Sequence, residues 1–171
     1  ISPDQASLAE AWPEASKRLL VTAHGLCMHD GEWRSARHLE NQGELDEEFL
    51  GLPEALAASH GYSTVDFHYN TGRHISENGR DFAGMLERLV ANWPVEVEKL
   101  VILGHSMGGL VARSAAHYGL NAGHAWPEHL KKIVFLGTPH HGSPVERAGH
   151  GIDRALGISR YSAPFSRLGK M

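Results

Sequence analysis

Short apolar runs alternate with amphipathic stretches along this chain. The apolar runs occupy residues 19–23, 63–69, 99–103 and 132–136, and each is the length of a single strand. They are rich in aliphatic, β-branched and aromatic residues. Runs of this kind, separated by helical stretches, are typical of parallel strands that are covered on both faces. The pattern therefore predicts four buried strands.

Helical spacing fills the intervals between these runs. Residues 76–93 place apolar side chains at i, i+3, i+4 and i+7, which marks one buried helix face, and Ser76 is the predicted N-cap. Residues 107–118 form a second predicted helix, which we expect to end at Gly119 or Gly123.

Strands and helices thus alternate from the first apolar run onwards. Shorter helices are predicted at residues 32–41 and 53–59. This order predicts an α/β protein: a three-layer α/β/α sandwich with a mainly parallel sheet of about four strands. We assign residues 1–18 to an N-terminal helical segment and residues 19–171 to a partial α/β core.

The third strand runs directly into a serine that lies between two glycines. Residues 104–108 are Gly-His-Ser-Met-Gly, and the predicted helix follows at once. A strand that turns sharply into a helix at Gly-x-Ser-x-Gly is the layout of a nucleophile elbow, which exposes the serine hydroxyl at the tip of the turn. Ser106 is therefore the predicted catalytic nucleophile. The backbone N–H of Met107 is one predicted donor to the oxyanion.

A second oxyanion donor is expected from the loop after an earlier strand. The first strand ends at His24-Gly25-Leu26, and a His-Gly pair often introduces the loop that supplies this donor. We predict that the N–H of Leu26 completes the oxyanion hole, with Cys27 as the alternative. His24 is expected to hold the loop by hydrogen bonding. The competing interpretation is that both motifs are tight turns without chemistry.

Three blocks of sequence together resemble a known family. Residues 21–26 are Val-Thr-Ala-His-Gly-Leu, residues 103–113 are Leu-Gly-His-Ser-Met-Gly-Gly-Leu-Val-Ala-Arg, and residues 135–143 are Phe-Leu-Gly-Thr-Pro-His-His-Gly-Ser. They resemble the α/β-hydrolase lipases and esterases, and among these the bacterial proteins similar to GPI inositol-deacylase. The resemblance implies the α/β-hydrolase fold and cleavage of an ester or lipid through an acyl-serine intermediate, without a cofactor.

The same resemblance implies a triad whose acid and histidine follow the serine, on loops after later strands. We expect both outside residues 1–171, so that the chain is part of a longer hydrolase and need not be active alone. His140 and His141 follow the fourth strand, and they are fallback bases or residues that shape the substrate pocket. Glu146 and Asp153 are the acids after that strand. Either could orient a histidine, but surface solvation is the simpler role for both.

The composition bears on nucleic-acid binding, on membrane spans and on the cellular compartment. The 171 residues are 42% hydrophobic and 21% charged with a net charge of −4, so nothing indicates a nucleic-acid surface. No apolar run reaches the roughly 18 residues that span a bilayer. A single cysteine, Cys27, gives a mild preference for the cytoplasm.

Thirteen histidines raise the question of a metal site. Two groups of possible metal ligands are close in sequence. Neither group has the spacing of a known zinc motif, so no metal is expected. The groups are Asp66, His68 and His74, and His117, His124 and His129.

Two other functions stay open. A non-catalytic protein could keep the hydrolase shape as a binding or scaffold module. An acyltransferase could use the same elbow to pass the acyl group to an alcohol or thiol. The expected partner of the enzyme is a small-molecule ester or lipid.

Overall fold

The computed structural model describes residues 4–26 and 51–141 of the chain. Four strands in this part form one sheet with the order β2-β1-β3-β4, and every neighbouring pair is parallel. The predicted parallel sheet of four strands is therefore confirmed. The strands are β1 (Arg18–Ala23), β2 (Ser63–Phe67), β3 (Lys99–His105) and β4 (Leu130–Leu136).

The described residues also form five helices, of which all but the last were predicted. The predicted helix at residues 32–41 lies outside the described residues, as do residues 143–171. The helices are α1 (Gln5–Ala11), α2 (Leu52–His60), α3 (Ile75–Asn92), α4 (Met107–Asn121) and α5 (Trp126–His129).

Helix α3 begins before the residue that we predicted as its cap. Its N-cap is His74 and not Ser76. The Nδ1 atom of His74 accepts a hydrogen bond from the Ser76 amide at 3.2 Å, and the Glu77 carboxylate accepts one from the His74 amide at 3.3 Å. An imidazole therefore takes the place of the usual hydroxyl in a capping box.

Helix α4 continues through Gly119 and ends before Gly123, which has a φ of 68°. Gly119 lies against the ring of Trp126, so that a Cβ at this glycine would be 2.7 Å from a ring carbon. Trp126 is fully buried and begins α5. The glycine at 119 is thus a packing position and not a helix end.

The core lies between the central strands and helices α3 and α4. Strand β1 is buried from its second residue to its end. Helix α3 packs along α4 so closely that a Cβ at Gly79 would be 2.2 Å from the Ser114 hydroxyl. The two helices bury side chains at regular helical spacing, namely Phe82, Leu86 and Leu89 from α3 and Val111, Ala112 and Ala115 from α4.

The strand order determines where a ligand can enter. The connection after β1 leads to β2 on one side, and the connection after β3 leads to β4 on the other. Right-handed crossovers then place α2 on one face of the sheet and α3 and α4 on the opposite face. Ligands of such sheets bind outside the carboxyl ends of the strands where the order reverses, which here is between β1 and β3.

Candidate functional site

Ser106 occupies the sharp turn from β3 into α4. Its φ of 50° and ψ of −119° make it the one non-glycine residue with a positive φ in the described part of the chain. Such a conformation costs on the order of 1–3 kcal/mol and is found mostly at functional sites. The amide of Ser106 donates to the Leu136 carbonyl at 2.8 Å, which ties the turn to the end of β4.

Three glycines let the backbone close around this turn. A Cβ at Gly104 would lie 2.6 Å from the Cα of Gly109, and a Cβ at Gly109 would lie 2.0 Å from the Thr138 hydroxyl. A Cβ at Gly108 would lie 2.2 Å from the carbonyl oxygen of Ala23. The first turn of α4 therefore touches both the end of β1 and the segment after β4.

The loop His24–Leu26, which we call the β1 exit loop, lies at the crevice between β1 and β3. Ala23 pairs with Gly104, so the loop begins level with the residues that lead into Ser106. Gly25 is buried, and Leu26 is 50% exposed. Met107 is the first residue of α4, where backbone N–H groups have no partner within the helix. Cys27 lies outside the described residues.

His24 is buried at the start of the β1 exit loop, with 1% of its surface exposed. Its Nδ1 lies 3.0 Å from the carbonyl oxygen of Gly25. A carbonyl can only accept, so Nδ1 carries the proton and Nε2 is left as an acceptor. Nε2 has no hydrogen-bond partner among the described residues. The ring therefore binds the loop's own backbone, in agreement with the role expected for it.

Tyr69 is the residue of this site that sequence patterns missed. Its ring stacks on the His24 ring at a centroid distance of 4.4 Å, and its hydroxyl donates to the His24 carbonyl at 2.5 Å. Burial raises the pKa of Tyr69 above its ordinary value, so the phenol keeps its proton and remains a donor. The one available signal was its place at the carboxyl end of the β2 run.

The histidine pair after β4 is exposed and lies beside α4. His140 has its Nδ1 atom 2.9 Å from the Arg113 guanidinium, and its ring meets Phe135 edge-on at 4.5 Å. A guanidinium can only donate, so Nδ1 is the acceptor and Nε2 carries the proton. In this arrangement His140 presents a donor at Nε2. His141 is exposed at the end of the described segment. Glu146 and Asp153 lie outside it.

A cleft opens at the carboxyl end of β2. It lies at the same end of the parallel strands as Ser106, which follows β3. Its volume is about 500 Å³. Arg73 and Asp81 form an ion pair at its rim, and this contact raises the pKa of the Arg73 guanidinium. The lining combines two buried aromatic rings with polar groups: Phe67, His68, Tyr69, Asn70, Arg73, Asn78 and Asp81.

Within residues 4–26 and 51–141, no three His, Cys, Asp or Glu side chains come together in a group that could hold a metal ion. Members of the two sequence groups are engaged in other contacts. Asp66 accepts a hydrogen bond from the Thr22 hydroxyl at 2.6 Å, and the Nε2 atom of His117 lies 3.0 Å from the Asn121 amide nitrogen. In the same ranges, no helix combines the length and the apolarity needed to cross a bilayer.

The fold of this chain is shared with known proteins. Residues 20–161 match the family described as PGAP1-like alpha/beta domain. Among solved structures, the chain is similar to Bacillus licheniformis lipase BlEst2 in its propeptide form, with a TM-score of 0.54 and 24% identity over 78% of this chain. The match covers 25% of that lipase, and no curated protein matches the chain. The likeness confirms the predicted α/β-hydrolase fold class.

Proposed function

Because the chain belongs to the family of PGAP1-like alpha/beta domains, we propose that it is a serine hydrolase that cleaves carboxylic esters, of the lipase or esterase type. The observation that carries the proposal is the backbone of Ser106, whose φ of 50° is held at the crevice between β1 and β3. A tight packing turn needs no serine in this strained conformation. A nucleophile that must project from the turn does need this strained conformation, because it exposes the hydroxyl at the tip.

The proposed reaction has two halves. The Ser106 hydroxyl oxygen bonds to the ester carbonyl carbon while a histidine takes the hydroxyl proton, and the carbonyl oxygen becomes an oxyanion. The amides of Leu26 and Met107 stabilise this charge. The intermediate collapses to an acyl-serine as the alcohol leaves with the proton. Water then attacks the acyl-serine with the same histidine as base, which releases the acid and restores the serine.

We propose that the base is a residue other than His140, and that it lies with its acid on loops after later strands of the hydrolase fold. In this family of folds both residues follow the serine along the chain. The hydrogen bond from Arg113 to the Nδ1 of His140 supports this choice, because it leaves the ring with a proton at Nε2. His140 then suits a donor to substrate at the pocket rim better than a proton acceptor.

The proposal is tested with Ser106→Ala in the full-length protein that contains these residues. We expect hydrolysis of p-nitrophenyl esters to fall by at least roughly 10³-fold, because the nucleophile is removed. Labelling by a fluorophosphonate probe should also be lost. The matched control is Ser114→Ala, which removes a half-buried hydroxyl two turns along the same helix and should leave turnover unchanged.

Three results would contradict the proposal. Undiminished turnover by the Ser106→Ala protein would exclude Ser106 as the nucleophile. A folded wild-type protein that neither turns over esters nor reacts with the probe would favour the non-catalytic scaffold. Transfer of the acyl group to an added alcohol in preference to water would instead identify an acyltransferase with the same nucleophile.

A further inference from the structure

We propose that Tyr69 is a positioning residue for the oxyanion hole: it fixes the β1 exit loop so that the Leu26 amide faces the nucleophile. This inference rests on the proposed function of Ser106. Tyr69 follows β2, so it reaches the site from a neighbouring strand and has no place in the elbow motif or in the His24–Leu26 segment.

Two contacts connect Tyr69 to the loop. The hydroxyl donates to the carbonyl of His24 at 2.5 Å, and the ring stacks on the imidazole at 4.4 Å with an angle of 21° between the planes. Tyr69 and His24 are 7% and 1% exposed. A buried carbonyl needs a donor, and this phenol supplies it.

The Tyr69 ring is itself held by the core. It stacks on Phe67 at 5.2 Å, and Phe67 stacks on Phe82 of α3 at 4.1 Å. A column of four rings therefore runs from the centre of α3 to His24. Since the Tyr69 ring is packed between the rings of Phe67 and His24, its hydroxyl has little freedom to follow a moving loop.

The His24 carbonyl, which accepts the hydrogen bond from Tyr69, lies beside the first turn of α4. It is so close to the first turn of α4 that a Cβ at Gly108 would be 2.5 Å from it. That turn carries backbone N–H groups without partners in the helix. Without the phenol, we expect the His24 carbonyl to rotate towards these N–H groups. Rotation would turn the amides of the loop and occupy donors that the oxyanion requires.

Tyr69→Phe in the full-length protein tests the inference, because it removes one oxygen and keeps the ring. We expect kcat to fall by about tenfold with KM within about twofold, since loss of a whole oxyanion donor costs roughly 10²–10³ and this change displaces one. Labelling by the fluorophosphonate should slow by a similar factor. In hydrogen exchange, amides of residues 24–26 should exchange faster than in the wild type.

Thr22→Val is the matched control. Thr22 is as buried as His24, and its hydroxyl also links β1 to β2, through Asp66 at 2.6 Å. This variant also loses a hydrogen bond donated by a buried hydroxyl, but one that does not involve the β1 exit loop. It should therefore lower the thermal midpoint and leave kcat and the exchange of residues 24–26 unchanged. Equal losses of kcat in both variants would contradict the positioning role, because they would show that Tyr69 contributes only to the stability of the core.

The outcomes separate the two proposals. If Ser106→Ala abolishes turnover while Tyr69→Phe keeps the wild-type kcat, the positioning role is overturned and the hydrolase stands. If Ser106→Ala retains turnover, the hydrolase assignment fails on its own variant. If the wild type shows no turnover at all, hydrogen exchange still decides the loop contact, since unchanged exchange at residues 24–26 in Tyr69→Phe contradicts it.

Discussion

At the scale of single residues, Ser106 shows how a reactive group is held against its own conformational preference. Its backbone dihedral angles lie in a region that residues with side chains rarely adopt. Its amide donates a hydrogen bond to the Leu136 carbonyl. Gly104 and Gly108 pack against backbone atoms on either side of the turn. The strain at one residue is therefore offset by contacts that only residues without side chains permit.

Gly108→Ala tests this close packing. The added Cβ would lie 2.2 Å from the Ala23 carbonyl oxygen, and this clash is with backbone, so it can be relieved only by a shift of α4 or of β1. We expect the free energy of unfolding in urea to fall by about 1–3 kcal/mol. Probe labelling of Ser106 should fall further than the loss of folded protein explains.

Gly84→Ala in α3 is the control for that substitution. Its Cβ would meet only the end of the Arg88 side chain, at 3.4 Å. Replacement of a helix-interior glycine by alanine is then expected to stabilise the protein by up to about 1 kcal/mol. A Gly108→Ala protein as stable as the Gly84→Ala protein would show that α4 does not press on the end of β1.

At the scale of elements, α3 connects to several parts of the described core. Its start is capped by His74, its second turn packs against α4 through Gly79, and Glu87 reaches the start of α5. The Glu87 carboxylate accepts hydrogen bonds from the amides of Ala125 and Trp126 at 2.9 and 3.1 Å. A side chain of a predicted helix thus fixes the helical turn that was not predicted.

Glu87→Ala should loosen α5. It leaves two amide donors without their acceptor beside the buried Trp126, and we expect a loss of about 1–3 kcal/mol in the free energy of unfolding. Increased quenching of tryptophan fluorescence by acrylamide would report the exposure of Trp126. In Glu98→Ala, which breaks an exposed ion pair with Lys17, the unfolding midpoint should hardly move. Identical behaviour of both variants would contradict the capping role of Glu87.

Element boundaries show where local signals were sufficient. The helix at residues 53–59 and the strand that leads into Ser106 were predicted from neighbouring residues alone, and the structure contains both. The second strand was predicted to reach Tyr69 and ends at Phe67, because its partner strand ends at Ala23. A strand boundary set by a partner 44 residues away cannot be found by local pattern.

At the scale of the whole molecule, the order of the strands brings the candidate site together. The outer strands β2 and β4 are only partly buried, whereas β1 is buried from Leu19 onwards and β3 is mostly buried. The central pair also has hydrogen-bonded neighbours on both sides. The site is thus built on the best-supported strands of the described sheet.

Hydrogen exchange should reveal the difference in burial between the central and the outer strands of the described sheet. We expect amides of Val21 and Ile102, on the central strands, to exchange only through global unfolding. Amides of Val65, on β2, should exchange roughly tenfold faster or more, through local opening of the sheet edge. Protection of Val65 equal to that of Val21 would contradict this difference and show that β2 is covered by another part of the protein.

The sequence by itself determined the alternation of strands and helices, the elbow at Ser106 and the candidate donors Leu26 and Met107. These features depend on residues within a few positions of one another, where the local chain restricts the backbone. The functional roles of the three residues remain predictions.

Only the tertiary structure decided the strand order, the contact of Gly108 with the end of β1 and the part that Tyr69 plays beside His24. These depend on which strands are neighbours, and neighbours are chosen by burial of the whole sheet and not by any short segment. The hydrogen bond between Tyr69 and His24 joins residues 45 positions apart in the sequence. No pattern in either segment specifies the other, because the contact exists only once β1 and β2 are paired.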